Sequence, residues 1–237
     1  IGSYDTDQEE FTEEATQAID YGIDFYAPQT VLTPDGRRIM IGWMQNWDTC
    51  PIVDEDKLWF GQMSLPRELS IKNNRLYQWP AREVDAMRRD KVTYQDVLIK
   101  DKESISLEGI AGRTVDMEVV IRPDDPEKLY DKFSIHFAKN ENYYTSFSFR
   151  AKENILKVDR KNSGSRRAII HQRRSEIKNS QQELRLRIVM DRCSVEVFIN
   201  GGEQVMTATL YTEMKAQEIS FVAEGDVRMD IVKYTLA

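Results

Sequence analysis

Asp20, Asp24, Phe25, Tyr26 and Trp43 are side chains of the kinds that hold a sugar. Carboxylates accept hydrogen bonds from sugar hydroxyls, and aromatic faces pack on sugar C–H groups. The same residue types have ordinary uses as well. Aromatic strands fill cores, and an aspartate in a turn caps its own backbone. The elements that must position these groups are a carboxylate-rich turn and two strands, expected at 24–32 and 38–46. Pro34-Asp35-Gly36 joins the strands, with proline presetting φ and glycine accepting a positive φ. The second strand carries Trp43 beside a small residue, Gly42.

Composition narrows the classes of function. The 237 residues hold 33 basic and 40 acidic side chains, a net charge of −7. That balance argues against nucleic acid and anionic membrane as partners, since both are bound through basic patches. Local basic clusters at Arg166-Arg167 and Arg173-Arg174 lie among Ser, Asn and Gln and read as a solvated loop or a polar strand face. No apolar run approaches the roughly 20 residues of a membrane span. The opening Ile1-Gly-Ser-Tyr-Asp-Thr-Asp lacks the basic and apolar regions of a signal peptide. Cys50 and Cys193 do not make a disulfide framework and are expected as buried free thiols. His136 and His171 have no metal-ligand spacing with either cysteine, so no zinc site is expected. The acidic run from Asp5 to Glu14 lacks the glycine-containing calcium loop and reads as a solvated face, with a short helical turn around residues 13–18. No metal and no cofactor are expected.

Short apolar runs separated by turn signals continue to residue 80, giving further strands at 58–64, 67–73 and 75–79, with Asn73-Asn74 as a hairpin turn. This amounts to little more than one small antiparallel sheet, which cannot bury both faces without neighbours. Residues 81–90, after Pro80, read as a short linker helix, with acids early and bases late. From 91 to 237 the period is two: Leu184, Leu186, Ile188 and Met190 share one face and Arg185 and Arg187 the other. About ten to twelve such runs, with a strong turn at Asn200-Gly201-Gly202, predict a two-sheet antiparallel sandwich. The expected domains are therefore 1–80, a linker at 81–90, and 91–237.

Asp20-Tyr-Gly-Ile-Asp-Phe-Tyr-Ala-Pro-Gln-Thr30, Gly42-Trp-Met44, Trp59-Phe-Gly-Gln-Met-Ser-Leu-Pro-Arg-Glu-Leu69 and Leu186-Arg-Ile-Val-Met-Asp-Arg-Cys-Ser-Val-Glu-Val-Phe-Ile-Asn200, with Thr207 following, occur in that order. Together they resemble glycoside hydrolase family 32, the invertases, levanases, inulinases and sucrose-6-phosphate hydrolases. The resemblance implies an all-β fold: the terminal blade or blades of a five-bladed β-propeller, followed by a C-terminal β-sandwich. It also implies retaining hydrolysis of terminal fructosyl units in sucrose or fructans. The family's nucleophile, transition-state stabiliser and acid/base motifs have no counterpart here. Arg122-Pro-Asp-Asp-Pro126 reads as a turn between strands, and neither cysteine follows a glutamate. The resemblance thus implies a C-terminal part with no catalytic residue of its own, inactive alone, whose partners are a fructose-containing oligo- or polysaccharide and the upstream half of the propeller. Asp20 matches the aspartate of the family's Asp-x-Gly element, expected to touch substrate or support the acid/base. Trp43 matches a tryptophan lining the same pocket. Tyr26 either reaches that pocket or braces the blade. Asp24, Phe25 and Gln29 are expected to be structural, Arg67 and Glu68 to form an ion pair closing the blade, and Glu196 to belong to the sandwich.

Two further readings remain open. The sandwich could bind an oligosaccharide through an aromatic row, for which Tyr143, Tyr144, Phe147 and Phe149 are candidates, with Phe147 and Phe149 reading better as core. It could also serve purely to shield and stabilise the propeller.

Overall fold

A computed structural model describes residues 1–45, 47, 61–164, 170–177 and 183–237. The first element is a hairpin, β1 (Gly2–Asp5) with β2 (Glu10–Glu13). The Asp5 carboxylate accepts from the N–H groups of Asp7 (2.9 Å) and Gln8 (3.0 Å), so this acidic cluster closes a turn. The expected helical turn at 13–18 does not form. Glu13 is instead the last residue of β2, and the N–H groups of Glu14 and Ala15 continue the hairpin by donating to the Ile1 carbonyl.

Next comes an antiparallel blade of four strands in sequential order: β3 (Tyr26–Leu32), β4 (Arg38–Trp43), β5 (Arg67–Lys72) and β6 (Arg75–Pro80). Gly36 sits at φ +84° in the first turn, where its N–H donates to the Thr33 carbonyl at 2.9 Å. Asn73 and Asn74 take φ of +50° and +55°, the twist that a two-residue hairpin turn favours. Of the strand expected at 58–64, residues 58–60 lie outside the described residues. Residues 61–64 make an isolated bridge, Met63 to Trp43, rather than a strand. There the Ser64 hydroxyl accepts from the Gly42 N–H, so a side chain replaces part of the ladder. The linker is a 3-10 helix at Arg82–Met87, shorter than the helix expected at 81–90. It ends where Arg88 and Arg89 begin pairing with Leu236 and Thr235.

The rest is a sandwich of two six-stranded antiparallel sheets. In chain order its strands are β7 (Arg88–Ile99), β8 (Ser104–Ile105), β9 (Thr114–Pro123), β10 (Lys132–Lys139), β11 (Thr145–Arg150), β12 (Ile155–Asp159), β13 (Gln172–Glu176), β14 (Leu184–Asp191), β15 (Ser194–Ile199), β16 (Gln204–Thr209), β17 (Glu218–Glu224) and β18 (Val227–Leu236). One sheet runs β13-β12-β11-β10-β17-β8 and the other β16-β15-β14-β9-β18-β7. Phe133, Ile135, Phe147, Phe149, Leu186, Ile188, Val197 and Phe221 fill the space between them. The Arg122-Pro-Asp-Asp-Pro126 segment finishes β9 and turns.

The second sheet departs from simple alternation, because all six residues of β15 are buried. Its outer face is covered by the blade. Val189, Phe198 and Val205 on that face pack against Leu65 and Trp79. Arg187, expected on a solvated face, is instead buried, bonded to Asp116 and Asp85 and lying 5.4 Å from the Trp79 ring centroid. Cys193 is a half-buried free thiol, not a fully buried one, while Cys50 lies outside the described residues.

Candidate active-site wall and the seam behind it

Residues 20–24 do not form a free turn. They run along β16, the edge strand of the second sheet. The N–H groups of Tyr21 and Ile23 donate to the carbonyls of Val205 (2.8 Å) and Thr207 (2.7 Å). Gly22 permits this approach: a Cβ there would lie 2.1 Å from the Thr207 nitrogen. Asp20 then turns into the seam. Its Oδ1 accepts from the Gly22 N–H (2.7 Å), the Thr207 N–H (3.1 Å) and the Thr207 hydroxyl (3.0 Å), and its Oδ2 accepts from Arg67 (3.1 Å). Burial pushes its carboxyl up to about 6, although Arg67, the Gly22 N–H and the Thr207 hydroxyl all pull the other way. Asp24 is also buried. It accepts from the Thr209 N–H (2.8 Å) and hydroxyl (2.9 Å) and pairs with Arg160, whose guanidinium lies over the Tyr211 ring.

Arg67 is the centre of the seam. Its Nη2 and Nε donate to the Glu196 carboxylate at 2.6 and 3.0 Å, and its Nη1 reaches Asp20 and the Gln78 side chain. The guanidinium lies 4.4 Å from the Phe25 ring centroid and 5.5 Å from that of Phe198. The other Glu196 oxygen accepts from the Leu65 N–H at 2.6 Å. A sandwich strand therefore grips the blade through one carboxylate. The expected Arg67–Glu68 pair does not exist, because neighbouring residues on a strand point to opposite faces. Glu68 instead holds Arg37 and Arg82, and the Arg82 guanidinium foremost draws its carboxyl down to about 2.

In front of the seam stands an aromatic wall. Phe25 rests on Gly42, where a Cβ would come within 2.4 Å of the ring. Tyr26 pairs directly across the strands with Trp43. A bulge makes that pairing: Tyr26 opposes Trp43 while Gln29 opposes Ile41, and Ala27 takes up the slack at φ +45°. Trp47 completes the group, edge-on to Tyr26 at 5.6 Å and to Trp43 at 6.0 Å. Tyr26 is 47 % exposed and Trp47 59 %, whereas Trp43 is half-buried. Of the expected site residues the structure thus brings Tyr26 and Trp43 together. Asp20 sits in the seam, with both oxygens engaged by the chain itself. Asp24 and Phe25 have packing roles, and Gln29 is exposed on the edge strand β3.

Trp47 was not singled out by its sequence. The signal that could have found it is its spacing from Trp43, which returns a second indole to the same strand end. The bulge had a signal as well, since Pro28 inside a strand marks an edge or a bulge.

The family model described as "Glycosyl hydrolases family 32 N-terminal domain" matches residues 1–80, and that described as "Glycosyl hydrolases family 32 C terminal" matches residues 83–236. The chain belongs to glycosyl hydrolase family 32, and its fold is a propeller blade followed by a β-sandwich. A sucrose-6-phosphate hydrolase of Staphylococcus xylosus is 30% identical over 237 residues, all of this chain and 47% of that protein. A raffinose invertase of Escherichia coli is 31% identical over 214 residues, 89% of this chain and 42% of its own length. The chain thus spans less than half the length of these relatives. Among solved structures, fructan 1-exohydrolase IIa of Cichorium intybus in complex with 1-kestose superposes with a TM-score of 0.84 at 21% identity, covering 99% of this chain and 54% of that one.

Proposed function

We propose that this chain is the C-terminal part of a retaining β-fructosidase that releases terminal fructosyl units from sucrose or fructans. The observation that carries the reading is the pairing of exposed Tyr26 with half-buried Trp43, grouped with Trp47 at one end of a family 32 blade. Aromatic faces so placed receive the apolar side of a sugar ring. Retaining hydrolysis needs two carboxyl groups about 5 Å apart, one acting as nucleophile and one as acid then base. Asp20 and Glu196 flank Arg67, but both are buried and held as its counter-ions, which suits positioning and not attack. In this reading the catalytic pair comes from the remainder of the whole protein, and residues 1–80 supply one wall of its pocket. Residues 81–90 link that part to the sandwich at 91–237. Asp20 serves the wall indirectly, by fixing the strand that leads into Tyr26.

The second reading, a sandwich that binds oligosaccharide through an aromatic row, is disfavoured because Phe147 and Phe149 face the core. A stabilising role for the sandwich is favoured by the Glu196–Arg67 contact, and it is compatible with the fructosidase reading.

The test is steady-state kinetics of the whole protein on sucrose. Trp43→Ala should lower kcat/KM by at least about tenfold, the equivalent of about 1.4 kcal/mol of transition-state binding, with little change in melting temperature. An unchanged kcat/KM in a folded variant would overturn the wall.

A further inference from the structure

A separate feature lies on the far side of the sandwich. The outer face of the first sheet holds a groove of 230 Å³ whose floor is Ser148 and whose sides include Lys132, Arg150, Lys157, Arg174 and Glu153. Register explains how it forms. Ser134 on β10, Ser148 on β11, Lys157 on β12 and Arg174 on β13 stand directly opposite one another in a row across the strands. Small residues in the middle of the row leave a hollow, and long cationic ones wall it.

Two features leave the groove open to an anionic ligand. Lys157 and Arg174 are like charges placed directly across an antiparallel pair, an arrangement that destabilises a sheet. Lys157 has Asp159 at 2.9 Å, but Arg174 has no acidic partner among the described residues. Ser148 lines the groove, and its hydroxyl makes no hydrogen bond among the described residues, which leaves it open to solvent or to a ligand. The carboxylates nearby are already paired on the flanks: Glu224 with Lys132 (2.7 Å), Glu153 with Arg150 (2.7 Å) and Asp159 with Lys157. Such partly exposed pairs contribute little each, so they yield to a ligand carrying two charges.

We propose that this groove binds a phosphate dianion, either free or as the monoester of a small sugar. The Arg174 guanidinium presents a planar fork that matches phosphate oxygens, Lys157 adds a point charge, and the Ser148 hydroxyl donates from below. The volume falls short of the roughly 300–1,000 Å³ of sites for drug-sized ligands, which restricts the occupant to a small molecule. The site is independent of the fructosidase reading, because no residue of the aromatic wall or the seam takes part.

The test is a titration of the 237-residue chain with inorganic phosphate, with a hexose monophosphate and with the neutral hexose, followed by calorimetry and by melting temperature at constant ionic strength. Phosphate and the hexose monophosphate should bind saturably and raise the melting temperature by mass action, and the neutral hexose should not. Tighter binding of the ester than of phosphate assigns the source as a sugar phosphate; equal binding assigns it as the free ion. Arg174→Ser should weaken binding at least tenfold, while Lys215→Ser, at an exposed lysine outside the groove, leaves it unchanged. The absence of a saturable response in the native chain would overturn the proposal. So would an equal response in Arg174→Ser, which would mark a general salt effect.

Discussion

Arg67 is wholly buried, and its charge is answered by two carboxylates, Glu196 and Asp20, and by the Gln78 amide. Removing the first of these breaks the shorter of two buried ion pairs and leaves the cation with Asp20, and breaking a buried pair typically costs about 3–5 kcal/mol. Glu196→Ala should therefore lower the unfolding free energy of the chain by that order in urea denaturation. A loss below about 1 kcal/mol, the range of exposed pairs, would mean that water reaches the seam. Asp20 titrates in an unusual direction. Its folded value of about 6 lies above the ordinary 3.8, because burial outweighs its donors, so the native state holds this proton more tightly than the unfolded chain does. The stabilisation is fully present below about pH 4 and is lost as pH rises through 6. Asp20→Asn, which cannot ionise, should gain on the native chain by about 1.4 kcal/mol per pH unit within that window. Parallel stability–pH curves for the two proteins would contradict this. The residue types at the site were legible in the sequence, because their chemistry is carried by the side chain itself. Their partners were not. Arg67 and Glu68 are neighbours in the chain and strangers in space, while Arg67 on β5 and Glu196 on β15 meet between blade and sandwich.

At the scale of elements, the segment from Asp20 to Asp24 matters most. It reads as a turn because of its carboxylates and Gly22, and it is indeed bent, but it is also tied along β16 by backbone hydrogen bonds from Tyr21 and Ile23. The turn signals that were read correctly all depend on local backbone demands, as in Pro34-Asp35-Gly36 and Asn73-Asn74. Edge addition depends instead on a distant strand with free carbonyls, which no local pattern announces. Gly22 is where the two readings separate. A turn would tolerate alanine, but here the new methyl group would strike the Thr207 backbone. Gly22→Ala should cost about 1–3 kcal/mol by overpacking and speed amide exchange at Ile23, whose N–H is bonded to the Thr207 carbonyl. Native-like exchange at Ile23 would show that the contact is dispensable. The β1–β2 hairpin was missed for a different reason: its residues are polar and exposed throughout, so no apolar period marks it.

For the molecule as a whole, period two correctly predicted a two-sheet sandwich but implied that each sheet has one wet face. The sheet centred on β14 and β9 has none near β15, since the blade covers it. Arg187 and Glu196 disguise this in the sequence: charged residues read as solvated, but here each is buried against an ionic partner. The sandwich thus holds the blade by an apolar patch and a buried ion pair, and the blade in turn presents Tyr26 and Trp43. On this account the sandwich serves the sugar site by fixing the geometry of one wall. The measurement that tests it most directly is sucrose hydrolysis by the chain alone and after joining it to the upstream half of a family 32 propeller. The account predicts no turnover by the chain alone, turnover once the upstream half is supplied, and loss of that turnover with Trp43→Ala. Hydrolysis by the isolated chain, or an assembled protein that folds yet leaves every fructoside intact, would contradict it.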